Sequence, residues 1–244
     1  MKTAVQVSPG PRLLNRRSFL ENCAIAPLVP AFLQLSSGGG SLTKEHRDAM
    51  TPSQVIEELK KGNERFRSGK MHPHDYLAQK RSSASGQYPA AVVLGCLDSR
   101  VPPDIIFDTG IGDEFVGRVA GNVVSDDMLG SMEFGCAVSG AKTIVVLGHT
   151  SCGAVKGAID DVVLGNLTGL LARIKPAIPA TKYDGDKSSK NPAYVDAVAR
   201  TNVVLAQGDI RRRSSILEDL EKKGNISIVG AMYELTTGKV EFLA

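Results

Sequence analysis

Val92-Val-Leu-Gly-Cys96-Leu-Asp98-Ser-Arg100 constrains this chain more than any other stretch. A short β-branched apolar run without polar alternation reads as a strand covered on both faces, the kind that lies inside a parallel sheet. It stops at Gly95, and a thiol, a carboxylate and a guanidinium follow at once. Thr143-Ile-Val-Val-Leu-Gly148 repeats the plan and delivers His149, then Cys152 and Gly153 at the start of a helix. Two strands therefore present Cys96, His149 and Cys152 at matching carboxyl ends, where open parallel sheets build their sites.

Two thiolates and one imidazole are a zinc set, and three protein ligands with a fourth position open are what catalytic zinc requires. Each residue taken singly also has an ordinary reading. A buried cysteine packs as a small apolar group, a strand-end histidine can be hydrogen-bonded in a core, and Cys96 and Cys152 could pair as a disulfide in an oxidising compartment. None of these readings uses Asp98 and Arg100. Two residues apart beyond a strand, they can form a bidentate carboxylate–guanidinium contact, or a plain surface ion pair worth about 0–1 kcal/mol.

Cys96-x-Asp98-x-Arg100 followed by His149-x-x-Cys152-Gly153 resembles the signature of the β-class carbonic anhydrases. The similarity runs from about Thr51 to the end and includes Ile105-Ile-Phe-Asp, Gly117-Arg118-Val-Ala-Gly-Asn122 and Ile228-Val-Gly-Ala-Met-Tyr233. The resemblance implies Zn2+ held by Cys96, His149 and Cys152, and reversible hydration of CO2 to bicarbonate and a proton by attack of zinc-bound hydroxide. Asp98, kept ionised by Arg100, would orient that hydroxide, or would swing onto the metal as a further ligand in a closed arrangement. Backbone near Gly153 and the side chain of Thr109 would bind substrate. Thr109 stands where many relatives carry a glutamine that works across a dimer interface, and it is shorter, with one hydrogen bond to donate. That departure keeps open a non-catalytic zinc- or bicarbonate-binding homologue, and the same site could serve a CS2 or COS hydrolase. The chain has no tryptophan, so the inhibitory site of the bicarbonate-inhibited members is not expected. His46, His72 and His74 lie outside the motif, and no proton shuttle is assigned.

The beginning of the chain reads differently. Asn15-Arg16-Arg17-Ser18-Phe19-Leu20 and the proline-broken apolar stretch Cys23 to Leu35 make residues 1–37 resemble a twin-arginine (Tat) signal, with the Tat translocase as a transient partner. A spanning helix needs about 20 apolar residues, which this stretch does not supply. Cys23 precedes the apolar stretch, so a lipoprotein attachment site does not fit. The destination would be periplasm or thylakoid lumen, with membrane anchoring if the signal is uncleaved. Metal inserted before export would protect the thiolates. Lys2, Arg12, Arg16 and Arg17 precede Ser37 against Glu21 alone, so the whole-chain net charge of +3 falls to about zero beyond the signal. With no lysine-rich run or aromatic ladder, nucleic-acid binding has no support.

Residues 38–50, opening on Gly38-Gly-Gly-Ser41, read as a flexible linker, and residues 51–244 as the catalytic domain. Thr51 caps a helix with Pro52 at its first position and Gln54 completing a capping box. In relatives such a helix packs on a partner subunit, which implies a homodimer or higher homo-oligomer. Residues Ser68 to Tyr88, with His72-Pro73-His74, read as a solvated loop. A short helix follows around Ile105, a strand at Phe115–Arg118, a turn at Gly121-Asn122, and a Ser125-capped helix to about Ser139 with Cys136 as buried filler. Further helices are expected from Cys152 to near Gly165, from Leu167 to Ile178 with Pro179 as its stop, across Val195 to Ile210, and from Ile216 to Lys223. Arg211-Arg-Arg213 reads as a solvated or interface patch. Terminal strands at Ile226–Tyr233 and Val240–Leu243 complete an α/β fold: a mostly parallel central sheet flanked by helices, an antiparallel edge strand and an N-terminal helical arm.

Overall fold

The computed structural model describes residues 39–243. The twin-arginine stretch, Cys23 and the apolar run behind it lie outside the described residues. Strands β1 (Ala91–Gly95), β2 (Glu114–Arg118), β3 (Thr143–His149), β4 (Ser227–Tyr233) and β5 (Val240–Phe242) form one sheet of order β2-β1-β3-β4-β5. The first four run parallel, and β5 returns antiparallel to β4. Every residue of β1 and β3 is buried, as their unbroken apolar sequence requires.

Side-chain alternation splits the core into two layers. Val92, Leu94, Ile144 and Val146 face one layer, and Ala91, Val93, Val145 and Leu147 the other. The first layer is covered by α5 (Asp126–Glu133), α6 (Gly153–Ile159), α7 (Gly165–Ala172), α8 (Ala177–Ala180), the long α9 (Pro192–Arg213) and α10 (Ser215–Lys222). The second is covered by α2 (Pro52–Ser68) and the short α4 (Pro103–Ile106). Thr51 caps α2 in a reciprocal capping box with Gln54, and fully burying Val55 and Leu59 contributes roughly 1.5–3 kcal/mol each. No helix among the described residues is long and apolar enough to cross a membrane.

The structure corrects several boundaries. The stretch read as a linker contains α1 (Lys44–Ala49), capped by Thr43, with Leu42, Arg47 and Met50 buried. It is docked: the Ser41 hydroxyl donates to the Ile111 carbonyl at 2.6 Å, and the Leu42 N–H donates to Asp113 at 3.0 Å. The solvated loop is also wrong. Residues Tyr76–Ser83 form α3, capped by Asp75, and the buried carboxylate of Asp108 draws the preceding segment inward. Asp108 accepts from Arg65 Nε at 2.5 Å, from His74 Nε2 at 2.9 Å and from the His72 N–H at 3.2 Å. His74 Nδ1 in turn accepts from Gln79 Nε2 at 3.2 Å.

After Cys152, α6 stops at Ile159, because Asp161 takes a positive φ of 53° that ends the helix. The helix expected up to Ile178 divides into α7 and α8, and Pro179 lies inside α8. Proline is tolerated there because the first N–H groups of a helix have no intrahelical acceptor. Beyond α5 the chain continues as a π-helical turn at Phe134–Val138, which buries Cys136. Burial pushes that thiol up to about 12, which keeps it inert. Of the arginine triplet, Arg212 is exposed and pairs with Asp209 on the same helix, whereas its two neighbours are engaged. Arg211 pairs with Glu221 and donates to the Ile228 carbonyl, and Arg213 donates to the Val124 carbonyl and pairs with Asp126, tying α9 to its neighbours.

Burial opposes the charge of Asp108, but hydrogen bonds from Arg65, His74 and the His72 N–H more than offset it and hold the carboxyl below its ordinary range. A depressed folded pKa stabilises the fold above the unfolded value of about 3.9, and that contribution disappears as pH falls through the folded one. Asp108→Asn should therefore cost on the order of 3 kcal/mol in urea unfolding at pH 7, with a smaller difference from wild type below about pH 4. Equal midpoints at pH 7 would show that the cluster does not hold α2 to α4.

Candidate metal centre

Strand register assembles the site. Gly95 pairs with Leu147, so Cys96 comes level with Gly148, one residue before His149. Thr150 and Ser151 then turn the chain back, and Cys152 precedes the first residue of α6. Cys96, His149 and Cys152 are all buried, with candidate ligand atoms within 4.8 Å of one another. The two sulfurs are 4.0 Å apart and no disulfide joins them.

The donors suit a metal cation. His149 Nδ1 lies 2.9 Å from the Thr150 carbonyl, so that nitrogen carries the proton and Nε2 keeps its lone pair. Nε2 is buried and has no hydrogen-bond partner among the described residues, a costly state for a polar atom unless something occupies it. Hydrogen bonding from Cys152 comes first among the causes that hold the Cys96 thiol well below its usual range, and contacts with His149, Asp98 and the Gly121 N–H add to it. The same contact pushes Cys152 up: two thiols this close share a proton until a cation replaces it. Two thiolates against a divalent ion leave the centre neutral, and a neutral imidazole adds no charge.

Asp98 lies beside this trio. Arg100 donates to it from Nε at 2.9 Å, from Nη2 at 2.7 Å and from its backbone N–H at 3.0 Å. The Arg100 side chain is thus the leading cause that holds the Asp98 carboxyl far below the usual carboxylate range. Asp98 Oδ2 is 3.9 Å from His149 Nε2, but its carboxylate is engaged by Arg100 and is not one of the clustered ligand atoms. Arg118, at the end of β2, donates from Nε to the Cys96 carbonyl at 2.9 Å and from Nη2 to the Asp98 carbonyl, clamping the loop that carries both residues. Gly153 opens α6, and a side chain there would meet nothing within 4 Å, so its backbone borders open space. Thr109 is placed otherwise: it is buried in the turn after α4, its hydroxyl 3.4 Å from the Asp104 carbonyl.

Sequence reasoning gave no role to Arg118, Asp196 or Asn202. The register that pairs Gly95 with Arg118 would have placed that guanidinium beside Cys96. Asn202 is a polar residue on the buried apolar face of α9, among Val198, Ala199 and Val203.

A parallel sheet with a buried Cys–His–Cys trio at its carboxyl edge defines an α/β metalloprotein. The family model for carbonic anhydrase matches residues 91–240. A Mycobacterium tuberculosis protein described as carbonic anhydrase 2 is 38% identical over 194 residues, covering 77% of this chain and 91% of its own length. One of two tetrameric β-carbonic anhydrases from Sordaria macrospora superimposes with a TM-score of 0.58 at 25% identity, covering 66% of this chain and 83% of that one. The Coccomyxa β-carbonic anhydrase in complex with acetazolamide gives a TM-score of 0.59 at 25% identity, over 78% and 82% of the two chains. This chain belongs to the β-class carbonic anhydrase family. It is an enzyme of zinc-dependent reversible CO2 hydration, with a Cys96–His149–Cys152 group able to hold the metal.

Proposed function

We propose that Cys96, His149 and Cys152 hold the zinc ion, and that Asp98, Arg100 and the backbone at Gly153 perform the work around it. The observation that carries the assignment is the orphaned, buried Nε2 of His149 within 4.8 Å of both thiols. Bound zinc supplies a Lewis acid that brings the pKa of water to about 7. The remaining roles belong to the protein. Arg100 keeps Asp98 ionised, so its carboxylate can only accept a hydrogen bond; it takes one from the attacking water and turns the oxygen lone pair toward the carbon of CO2. Arg118 holds the Cys96 and Asp98 carbonyls and so fixes the carboxylate relative to the thiols. As CO2 becomes bicarbonate, negative charge grows on its oxygens, and the N–H groups at the start of α6 by Gly153 are the donors for it. Asp98 is bound to Arg100 here; a swing onto the metal would break both guanidinium contacts. Thr109, turned to the Asp104 carbonyl, would meet substrate only across a subunit boundary. The binding-homologue and CS2 or COS readings have no observation in their favour.

The same proposal extends to the cell. Residues 1–37 act as a Tat export signal read by the Tat translocase, residues 51–244 together with the docked α1 stretch before them are the catalytic domain, and the exported protein resides in the periplasm or thylakoid lumen. Arg16-Arg17 before Phe19-Leu20 supports this. The chain assembles as a homo-oligomer; the tetrameric Sordaria relatives support that reading.

Stopped-flow CO2 hydration tests the roles. Asp98→Asn should lower kcat by at least about 100-fold while zinc content stays at one per chain. Undiminished turnover would remove Asp98 from the mechanism. Fractionation of cells expressing the whole chain tests export: replacing Arg16 and Arg17 by lysine should move the protein from the exported fraction to the cytoplasm, and an unchanged distribution would end the Tat reading.

A further inference from the structure

We infer that Asp196 and Asn202, both on α9, are positioning residues that hold the two ligand-bearing loops in place for the metal. The inference rests on the assignment of Cys96, His149 and Cys152 as ligands and adds the element that sets their separation.

Asn202 is 5% exposed, and its Nδ2 donates to the Gly121 carbonyl at 2.9 Å. Only the amide NH2 can face a carbonyl oxygen, so the side chain has one usable orientation. Gly121 in turn donates its own N–H to Cys96 Sγ at 3.3 Å. It does so with φ 67°, a left-handed conformation natural to glycine, and a Cβ there would lie 2.5 Å from Ile174 Cδ1. Asn202 therefore fixes the carbonyl of the residue whose N–H meets the sulfur. A hydrogen bond to a thiolate is charge-assisted, and outer hydrogen bonds of this kind orient metal ligands and tune their donor strength.

Asp196 does the corresponding work on the other loop. Its Oδ1 accepts from the Ser151 N–H at 2.7 Å. Ser151 has φ 54°, unfavourable for a residue with a Cβ, and it is the hinge between His149 and Cys152. The carboxylate secures the turn that brings imidazole and second thiol to one side.

Both residues sit on one rigid element, six positions apart, about 9 Å along a helix axis. That helix has no slack against the sheet. A Cβ on Gly148 would lie 2.5 Å from Val203 Cγ2, and one on Gly230 would lie 2.7 Å from Val203 Cγ1. α9 thus acts as a ruler between the Cys96 side and the His149–Cys152 side.

The test uses the full chain, its Asp196→Ala, Asp196→Asn and Asn202→Asp variants, zinc release to a chromophoric chelator, and the thiolate-to-metal charge-transfer absorption of the Co2+-substituted forms. Asp196→Ala and Asn202→Asp should release zinc about 10–100-fold faster and shift the charge-transfer band. Asp196→Asn keeps an acceptor for the Ser151 N–H and should release zinc as wild type does. A role confined to fold stability would lower melting temperature and leave release and band unchanged, and that result overturns the inference; so does failure of Asp196→Asn to match wild type. Asn202→Asp is isosteric and carries the test if Asp196→Ala does not fold. Absence of thiol-dependent metal uptake by the wild-type chain would instead sink the ligand assignment itself.

Discussion

The hydrogen-bonded register between β1 and β3 decides where every functional group can be. Parallel pairing puts Gly95 opposite Leu147, and that single alignment sets Cys96 beside the strand end that carries His149. A slip of one residue would turn Cys96 to the opposite face of the sheet. The register is secured by burial on both faces, since every apolar side chain of both strands sits in one of the two core layers. Site geometry is therefore a by-product of core packing, and the ligand loops add only the last turn.

Charge explains the rest of the neighbourhood. The sulfurs of Cys96 and Cys152 and the Asp98 carboxylate converge at the end of the sheet; Arg100 pairs with the carboxylate, and Arg118 holds the backbone of the loop that carries it. Arg100 is more than half exposed, so its contact with Asp98 adds little to stability; its effect is on the ionisation and direction of one carboxylate. Arg118 binds backbone carbonyls and makes no ion pair with Asp98. It works on position, the kind of role inferred above for Asp196 and Asn202.

Much of this was legible in the sequence because it is local. Uninterrupted apolar runs announced β1 and β3, Thr51 with Gln54 announced the start of α2, and the two strand-end clusters pointed to a shared site. Features created by distant pairing were not legible. Asp108 gathers Arg65 and His74 from segments 43 and 34 residues away, and nothing in His72-Pro73-His74 signals a buried acceptor. The helix inside the supposed linker is only six residues long, too short for a periodic pattern to show, and it is held by Leu42 and Met50 at its flanks. The mid-helix polar residues Asp196 and Asn202 look like breaks in an apolar face until the loops they serve are in view.

Every role assigned around the site depends on zinc bound by two thiolates and one imidazole. Zinc K-edge X-ray absorption of the full-length chain as isolated measures this directly. The predicted spectrum has two sulfur and two nitrogen or oxygen neighbours, the latter including His149 and an exchangeable position. Absence of zinc, four sulfur neighbours, or none, would contradict it.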